Sequence, residues 1–438
     1  MSSSIPAHGP MAGFERPVRL PPSRRPVLAD PARMAPLPAG ALSLLILQAS
    51  PFCNLDCDYC YLPDRDASRR MPLALLDRVI AQVAGSGLAG PELSLVWHAG
   101  EPMAVPRDWY DEAFDIVARH LPPGGPVAVT HHFQTNAVLI DAAWCAFFRR
   151  HDVRVGVSID GPAALHDAHR RTRDGRGTHH RVMQGIAQLR ETGLPFHAIA
   201  VLTRDALDQP DAIFDFFAGL GARQVGFNVE EVEAAHGRSS LQADGGMPDA
   251  ERALRAFWAR LLDRLHDTPG RLRVREVEAV LAALRHPRYG QLAGNDQNRA
   301  GHMLNVAVNG DWCFWSPELL GVRHPVLGPV VMGNLARGAL PAAGADADGP
   351  WAAWQQEIDC GVDACRARCA YFDFCLGGAP SNKLAEHGAF AGNETMACRL
   401  GQQVVIDAVL ASLDAMLPAQ GPTIGAPQAR LRPALLAR

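Results

Sequence analysis

The chain has 438 residues, 48% of them hydrophobic, and a formal net charge of -4. That is length for two or three domains with ample core, without the basic excess of a nucleic-acid binder. Ten cysteines fall into two groups, near the start and near the end, which suits metal centres better than disulfides. No apolar run approaches the ~20 residues that span a bilayer, and the Pro-, Arg- and Ser-rich start has no signal-like apolar stretch. The expectation is a cytoplasmic protein with no membrane association.

Residues 1–38 read as a disordered tail. Ala41 to Gln48 is a short continuous apolar run, as in a strand buried on both faces. A helical stripe of Leu75, Leu76, Val79 and Ile80 follows. Strands are then expected at Leu93–Trp97, Val127–Thr130 running on to Asn136, Val153–Gly161, Phe196–Leu202 and Gln224–Val229. Helices fall between them, near 109–119, 141–150, 179–192 and 212–219. Six strand–helix units in alternation predict a parallel sheet with helices outside it, an α/β partial (β/α)6 barrel. Chemistry in such folds sits at the C-terminal strand ends.

Beyond the barrel, Gly237 to Met247 reads as a flexible loop. Helices are expected near 249–265 and 274–284. Asn309-Gly310 then marks a hairpin between Leu304–Val308 and Trp312–Trp315. Ala- and Gly-rich linker residues lie around 342–349, a cysteine-rich region follows, and a last helix runs over about 400–417. The expected domains are 1–38 (tail), 39–235 (barrel), 236–300 (loop and helical linker), 301–415 (cysteine-rich extension) and 416–438 (tail).

The loop after the first strand holds Cys53, Cys57 and Cys60. Thiolates this close in sequence can converge on one iron–sulfur cube and leave one iron open for a substrate or cofactor. A zinc loop and a chance clustering are the alternatives at this point, although structural zinc prefers four protein ligands. In the second group Cys365, Cys369, Cys375 and Cys398 offer four thiolates. Four would close a site, making it structural or electron-transferring. Cys145, on a helical aromatic stretch, reads as a buried apolar residue.

Several stretches together resemble a radical S-adenosylmethionine (SAM) enzyme with a SPASM-type C-terminal extension. They are Pro51-Phe-Cys-Asn-Leu-Asp-Cys-Asp-Tyr-Cys-Tyr-Leu-Pro63, Val96-Trp-His-Ala-Gly-Glu-Pro102, Phe133-Gln-Thr-Asn136, Gly156-Val-Ser-Ile-Asp-Gly-Pro162, Ser316-Pro-Glu-Leu-Leu-Gly321 and Cys369-Ala-Tyr-Phe-Asp-Phe-Cys375. The subgroup most resembled is the GrrM/OscB cyclophane-forming maturases, which act on glycine-rich precursor peptides.

The resemblance implies SAM, a [4Fe-4S] SAM-binding cluster on Cys53, Cys57 and Cys60, and at least one auxiliary [4Fe-4S] cluster on Cys365, Cys369, Cys375 and Cys398. In the family the turn matching Ala99-Gly100-Glu101-Pro102 holds the SAM amino group, with Ala99 here replacing a glycine. Gln134, Asn136, Ser158 and Arg170 match positions around SAM, and Tyr59 is expected near the adenine. A second auxiliary cluster would need Cys313 and Cys360, because Ala379 stands where another ligand is usual.

The implied partners are a ribosomal precursor peptide and a one-electron reductant such as flavodoxin or ferredoxin. The implied reaction removes hydrogen from an aliphatic carbon and joins that carbon to an aromatic ring. It needs a base, for which Asp160, Glu230, Glu231 and Glu318 are the candidates. An anaerobic sulfatase-type maturase, which makes formylglycine from Ser or Cys, shares the cysteine loop and the layout. A zinc-stapled binding protein is the reading from another class.

Overall fold

The computed structural model describes residues 36–242, 246–285, 294–345, 349 and 351–416. Most of the expected N-terminal tail and nearly all of the C-terminal one lie outside the described residues. Within residues 36–38 Leu37 is packed instead: it is buried and exchanges backbone hydrogen bonds with Gly344 and Ala345. The expected linker around 342–349 is therefore docked where it is described.

Six parallel strands form the barrel wall in chain order: β1 (Leu42–Leu47), β2 (Ala89–Trp97), β3 (Ala128–Thr135), β4 (Arg154–Ser158), β5 (Phe196–Leu202) and β6 (Val225–Val229). Between them run α1 (Leu73–Gly85), α2 (Arg107–His120), α3 (Ala142–Arg150), α4 (Ala163–His169), α5 (His179–Glu191) and α6 (Pro210–Leu220). The expected alternation is observed, and α4 is an addition to it. Beneath β2 and β3 an aromatic layer fixes the helices: Trp97 meets Trp109 and Tyr110 edge-on at 5.7 and 5.2 Å, and Phe133 meets Tyr110 at 4.8 Å. Such pairs add about 0.5–1.5 kcal/mol each beyond their burial.

The sheet does not stop at β1. A hairpin of β7 (Met303–Val306) and β8 (Asp311–Phe314) lies on that edge, with β7 parallel to β1, so the cysteine-rich extension continues the barrel sheet. Gln48 fastens this junction. Its side chain accepts from the Val308 N–H at 3.1 Å and donates to the Ala99 carbonyl at 2.9 Å.

On the opposite edge α7 (Gly246–Asp267) packs on α6, and α8 (Arg275–Arg285) lies over β6. The expected loop before α7 is partly fixed: Leu241 is buried, and Gly246 and Met247 already belong to the helix. The remaining helices are α9 (Ala352–Arg368), α10 (Phe372–Cys375), α11 (Pro380–His387), α12 (Met396–Cys398) and α13 (Val404–Met416), with a π-helical turn over Arg399–Gln403 joining the last two. Contrary to the sequence reading, the continuous helical stretch Met396–Met416 is long and apolar enough to cross a bilayer, with mean hydropathy 1.2. Its Val404, Val405, Ile406 and Val409 are buried, and it packs on α7.

Candidate active site

The loop after β1 carries Cys53, Cys57 and Cys60, all free thiols. It is laced to the segment after α4. Asp56 N–H donates to the Arg171 carbonyl at 2.8 Å, Arg173 donates to the Cys53 carbonyl at 2.9 Å, and Arg65 donates to the Cys57 carbonyl at 2.7 Å. Asn136, just past β3, clamps the loop from the other side through Asn54 Oδ1 at 2.7 Å and Cys53 Sγ at 3.7 Å. Burial pushes the Cys53 thiol up to about 12 and the Cys57 thiol to about 11. These thiols are thus poor anions unless a metal centre compensates them.

The turn after β2 is built on unusual backbone. Ala99 has φ 64° and Gly100 φ 124°. A Cβ on Gly100 would lie 2.2 Å from the Ser50 carbonyl oxygen, so only glycine lets this turn press against the cysteine loop. Glu101 is a bracket: its carboxylate accepts from Met103 N–H at 3.0 Å, Thr135 Oγ1 at 2.7 Å and Asn136 N–H at 2.8 Å. Burial raises its pKa to about 7.

A cavity of about 1140 Å³ opens at the C-terminal strand ends. It is lined by Cys57, Tyr59, Cys60, Gln134, Ser158 and Arg170 on the barrel side and by Cys365, Cys369, Cys375 and Cys398 on the extension side. Of the remaining expected SAM-pocket residues, Gly100, Glu101, Pro102 and Asn136 do not line it, and Ala99 borders a second cavity of about 570 Å³. Gln134 donates to Ser158 Oγ at 2.9 Å. Gly156 is the register neighbour of both Gln134 and His197, and a Cβ there would lie 2.2 Å from Gln134 Oε1 and 2.6 Å from His197 Nε2.

Asp160 is not placed as a base. It is 3% exposed, takes two hydrogen bonds from Arg170 at 2.9 and 3.2 Å, one from the Tyr59 hydroxyl and one from Val201 N–H at 3.0 Å. Burial alone would raise its pKa, but the Arg170 guanidinium holds it below the usual range. It positions Tyr59 and Arg170, whose guanidinium lies 5.3 Å from the Tyr59 ring centroid. Glu230 is likewise committed, to His236 at 3.0 Å, Ser240 N–H at 2.7 Å and the Ser240 hydroxyl.

Glu230, Glu231 and Glu318 all line the cavity, joined by Glu233, which the sequence reading missed. Burial raises Glu231, Glu233 and Glu318, Glu233 most strongly, with the other carboxylates adding to it. Glu231 and Glu233 share a side-chain hydrogen bond. The start of α11, just after Ala379, supports the pair: Asn382 donates to Glu231 at 2.9 Å and to Glu233 at 3.2 Å, and Ser381 donates to Glu233 at 3.2 Å. Tyr61 and His98 also line this wall and were not singled out from sequence; burial lowers His98 to about 4, leaving it neutral.

Cys365, Cys369 and Cys375 lie within electrostatic reach of one another, and Cys398 within reach of Cys375. Cys313 and Cys360 do not line the cavity. Cys313 is buried on β8 with its thiol toward the Ser316 carbonyl at 3.7 Å. Cys145 is buried, as expected. Among the described residues no three His, Cys, Asp or Glu side chains close on a single-ion site.

A sequence profile described as the radical SAM superfamily matches residues 47–217. An uncharacterized protein of Synechocystis sp. is 37% identical over 380 residues, covering 86% of this chain and 94% of that one. The chain belongs to the radical SAM superfamily. Members use a [4Fe-4S] cluster and SAM, and the donor set fits: three soft thiols on one loop, with a glycine-pinned turn pressed against it and a cavity larger than the usual ~300–1,000 Å³ of small-ligand pockets. The serine-type anaerobic sulfatase-maturating enzyme of Klebsiella aerogenes is 34% identical over 219 residues, 50% of this chain and 52% of that enzyme. Two solved structures share the fold. One is anSMEcpe with bound AdoMet and Cp18Cys peptide, at TM-score 0.68 and 18% identity, covering 85% of this chain and 98% of that one. The other is Streptococcus suis SuiB bound to precursor peptide SuiA, at TM-score 0.56 and 16% identity, covering 82% and 76%.

Proposed function

We propose that this radical SAM enzyme joins an aromatic ring to an aliphatic carbon within a glycine-rich, ribosomally made precursor peptide. One observation carries the reading: a single cavity has the SAM-type cysteine loop at one side, four more cysteines at the other, and the Glu231–Glu233–Glu318 group in its wall. Its size leaves room for a peptide segment beside a cofactor, and relatives of this fold bind peptides.

Cys53, Cys57 and Cys60 would hold the SAM-binding cluster, and Cys365, Cys369, Cys375 and Cys398 an auxiliary one. Bound there, these groups and SAM supply a 5′-deoxyadenosyl radical that takes a hydrogen atom and an acceptor for one electron. Glu101 and Asn136 fix the cysteine loop. The Tyr59–Asp160–Arg170 unit and the Gln134–Ser158 pair form the wall that orients SAM. Rearomatisation releases a proton, and Glu231, in the cavity wall and hydrogen-bonded by Asn382, would take it. Burial disfavours the charged form of such a group and so makes it a stronger base than an exposed carboxylate.

Co-expression with a glycine-rich precursor under low oxygen should yield a peptide lighter by two hydrogens per ring. Fragmentation should place the loss between an aromatic residue and a near neighbour, and Cys57→Ala should abolish it. A carbonyl at a Ser or Cys would instead establish the sulfatase-maturase reading, which the similarity to the Klebsiella enzyme favours. Ala379, standing where sulfatase-type maturases usually carry a further cysteine ligand, weighs against that reading. A cytoplasmic setting and an external one-electron reductant belong to the same proposal.

A further inference from the structure

The extension buries a cation against its cysteines. Lys383, on α11, is 4% exposed, and its Nζ lies 3.6 Å from Cys365 Sγ. Among the described residues it forms no ion pair with a carboxylate. The space for its head group is made by Gly361 on α9, where a Cβ would lie 3.0 Å from Nζ and 2.1 Å from the Phe390 carbonyl oxygen. A buried ammonium is stabilised by a nearby anion, and the side chain that Lys383 Nζ approaches is a cysteine of the four-cysteine group. Four thiolates around an iron–sulfur core would be such an anion. Further donors face the same group: Thr395 N–H lies 3.3 Å and Gln403 Nε2 3.8 Å from Cys398 Sγ.

We propose that Lys383 raises the reduction potential of a cluster held by Cys365, Cys369, Cys375 and Cys398, making that site the electron acceptor of the coupling reaction. This rests on the function proposed above. Coupling breaks one C–H bond on the aliphatic carbon and one on the ring, and forms one C–C bond. The first hydrogen leaves as an atom to the 5′-deoxyadenosyl radical, giving 5′-deoxyadenosine. The second leaves as a proton to Glu231 and an electron to the four-cysteine site. The electron that the reductant supplies to cleave SAM is matched by the one released. Hydrogen bonds and positive charge at cluster sulfurs favour the reduced form, and Lys383 supplies both. It is a positioning residue and need not touch the peptide.

The test uses the full chain, reconstituted anaerobically with iron and sulfide, carrying Cys57→Ala so that only the auxiliary site is read. Iron and sulfide are counted, and the midpoint is followed by electron paramagnetic resonance in a redox titration. Lys383→Met should lower the midpoint, shifting the reduced-to-oxidised ratio at fixed potential about tenfold, or ~59 mV for one electron. Lys383→Arg should restore it. An unmoved midpoint in Lys383→Met with full iron would overturn the inference and leave the proposed function standing. Loss of iron from both Lys383→Met and Lys383→Gln would also overturn it, in favour of a role in assembly. No cluster in the Cys57→Ala parent would instead remove the auxiliary site itself.

Discussion

Replacing Arg170 by methionine should destabilise the protein sharply, because it strands a buried anion. Asp160 is 3% exposed and Arg170 8%, and the guanidinium makes two of the four hydrogen bonds on that carboxylate. Breaking a buried pair by removing one partner costs about 3–5 kcal/mol, a large share of the ~5–15 kcal/mol that holds a typical domain. Urea unfolding of the purified apoprotein, followed by tryptophan fluorescence, measures the loss. Adding Asp160→Asn to Arg170→Met should recover much of it, with a coupling on the order of 2 kcal/mol. The pH dependence has a definite sign. The folded Asp160 pKa is depressed, so its contribution is present above the unfolded value of about 3.9 and is lost as pH falls through the lower folded value. Arg170→Met should flatten that acid limb. A loss below ~1 kcal/mol, the size of an exposed ion pair, together with an unchanged acid limb, would refute the reasoning.

Other outcomes follow from the same geometry. Glu231→Gln should cut crosslinked product by about 10²–10⁴-fold, the usual weight of a general base, while 5′-deoxyadenosine release continues; equal loss of both would point to SAM binding instead. Gly156→Ala forces a Cβ to within 2.2 Å of Gln134 Oε1 and 2.6 Å of His197 Nε2. It should cost about 1–3 kcal/mol as overpacking and weaken SAM binding in a calorimetric titration. His169 is hydrogen-bonded to Asp58 at 3.0 Å, and that contact, with Asp205 assisting, raises it to about 9. Its stabilisation is full below the ordinary value near 6.5 and fades as pH rises through 9, so His169→Gln should remove a slope in melting temperature across that window.

Local pattern made the barrel readable. Short apolar runs at 44–47 and 198–202 leave few alternatives to strands, and cysteine spacing names its own chemistry. What stayed hidden depends on contacts distant in sequence. α4 was not expected because it is only seven residues long and begins behind Pro162 without a side-chain cap. The parallel pairing of β7 with β1 joins residues some 260 positions apart, and no local signal encodes it. The acids show the same limit more sharply. Asp160 sits at a strand end on the rim, where a base is expected, yet Arg170 folds back from ten residues on and takes both of its oxygens. Glu233 looks like an ordinary loop acid until Ser381 and Asn382 arrive from the extension and hold Glu231 and Glu233 side by side. Sequence thus singles out the candidate metal-binding cysteines, whose chemistry is intrinsic. It cannot rank the residues that move protons, because their chemistry is conferred by neighbours that only the fold assembles.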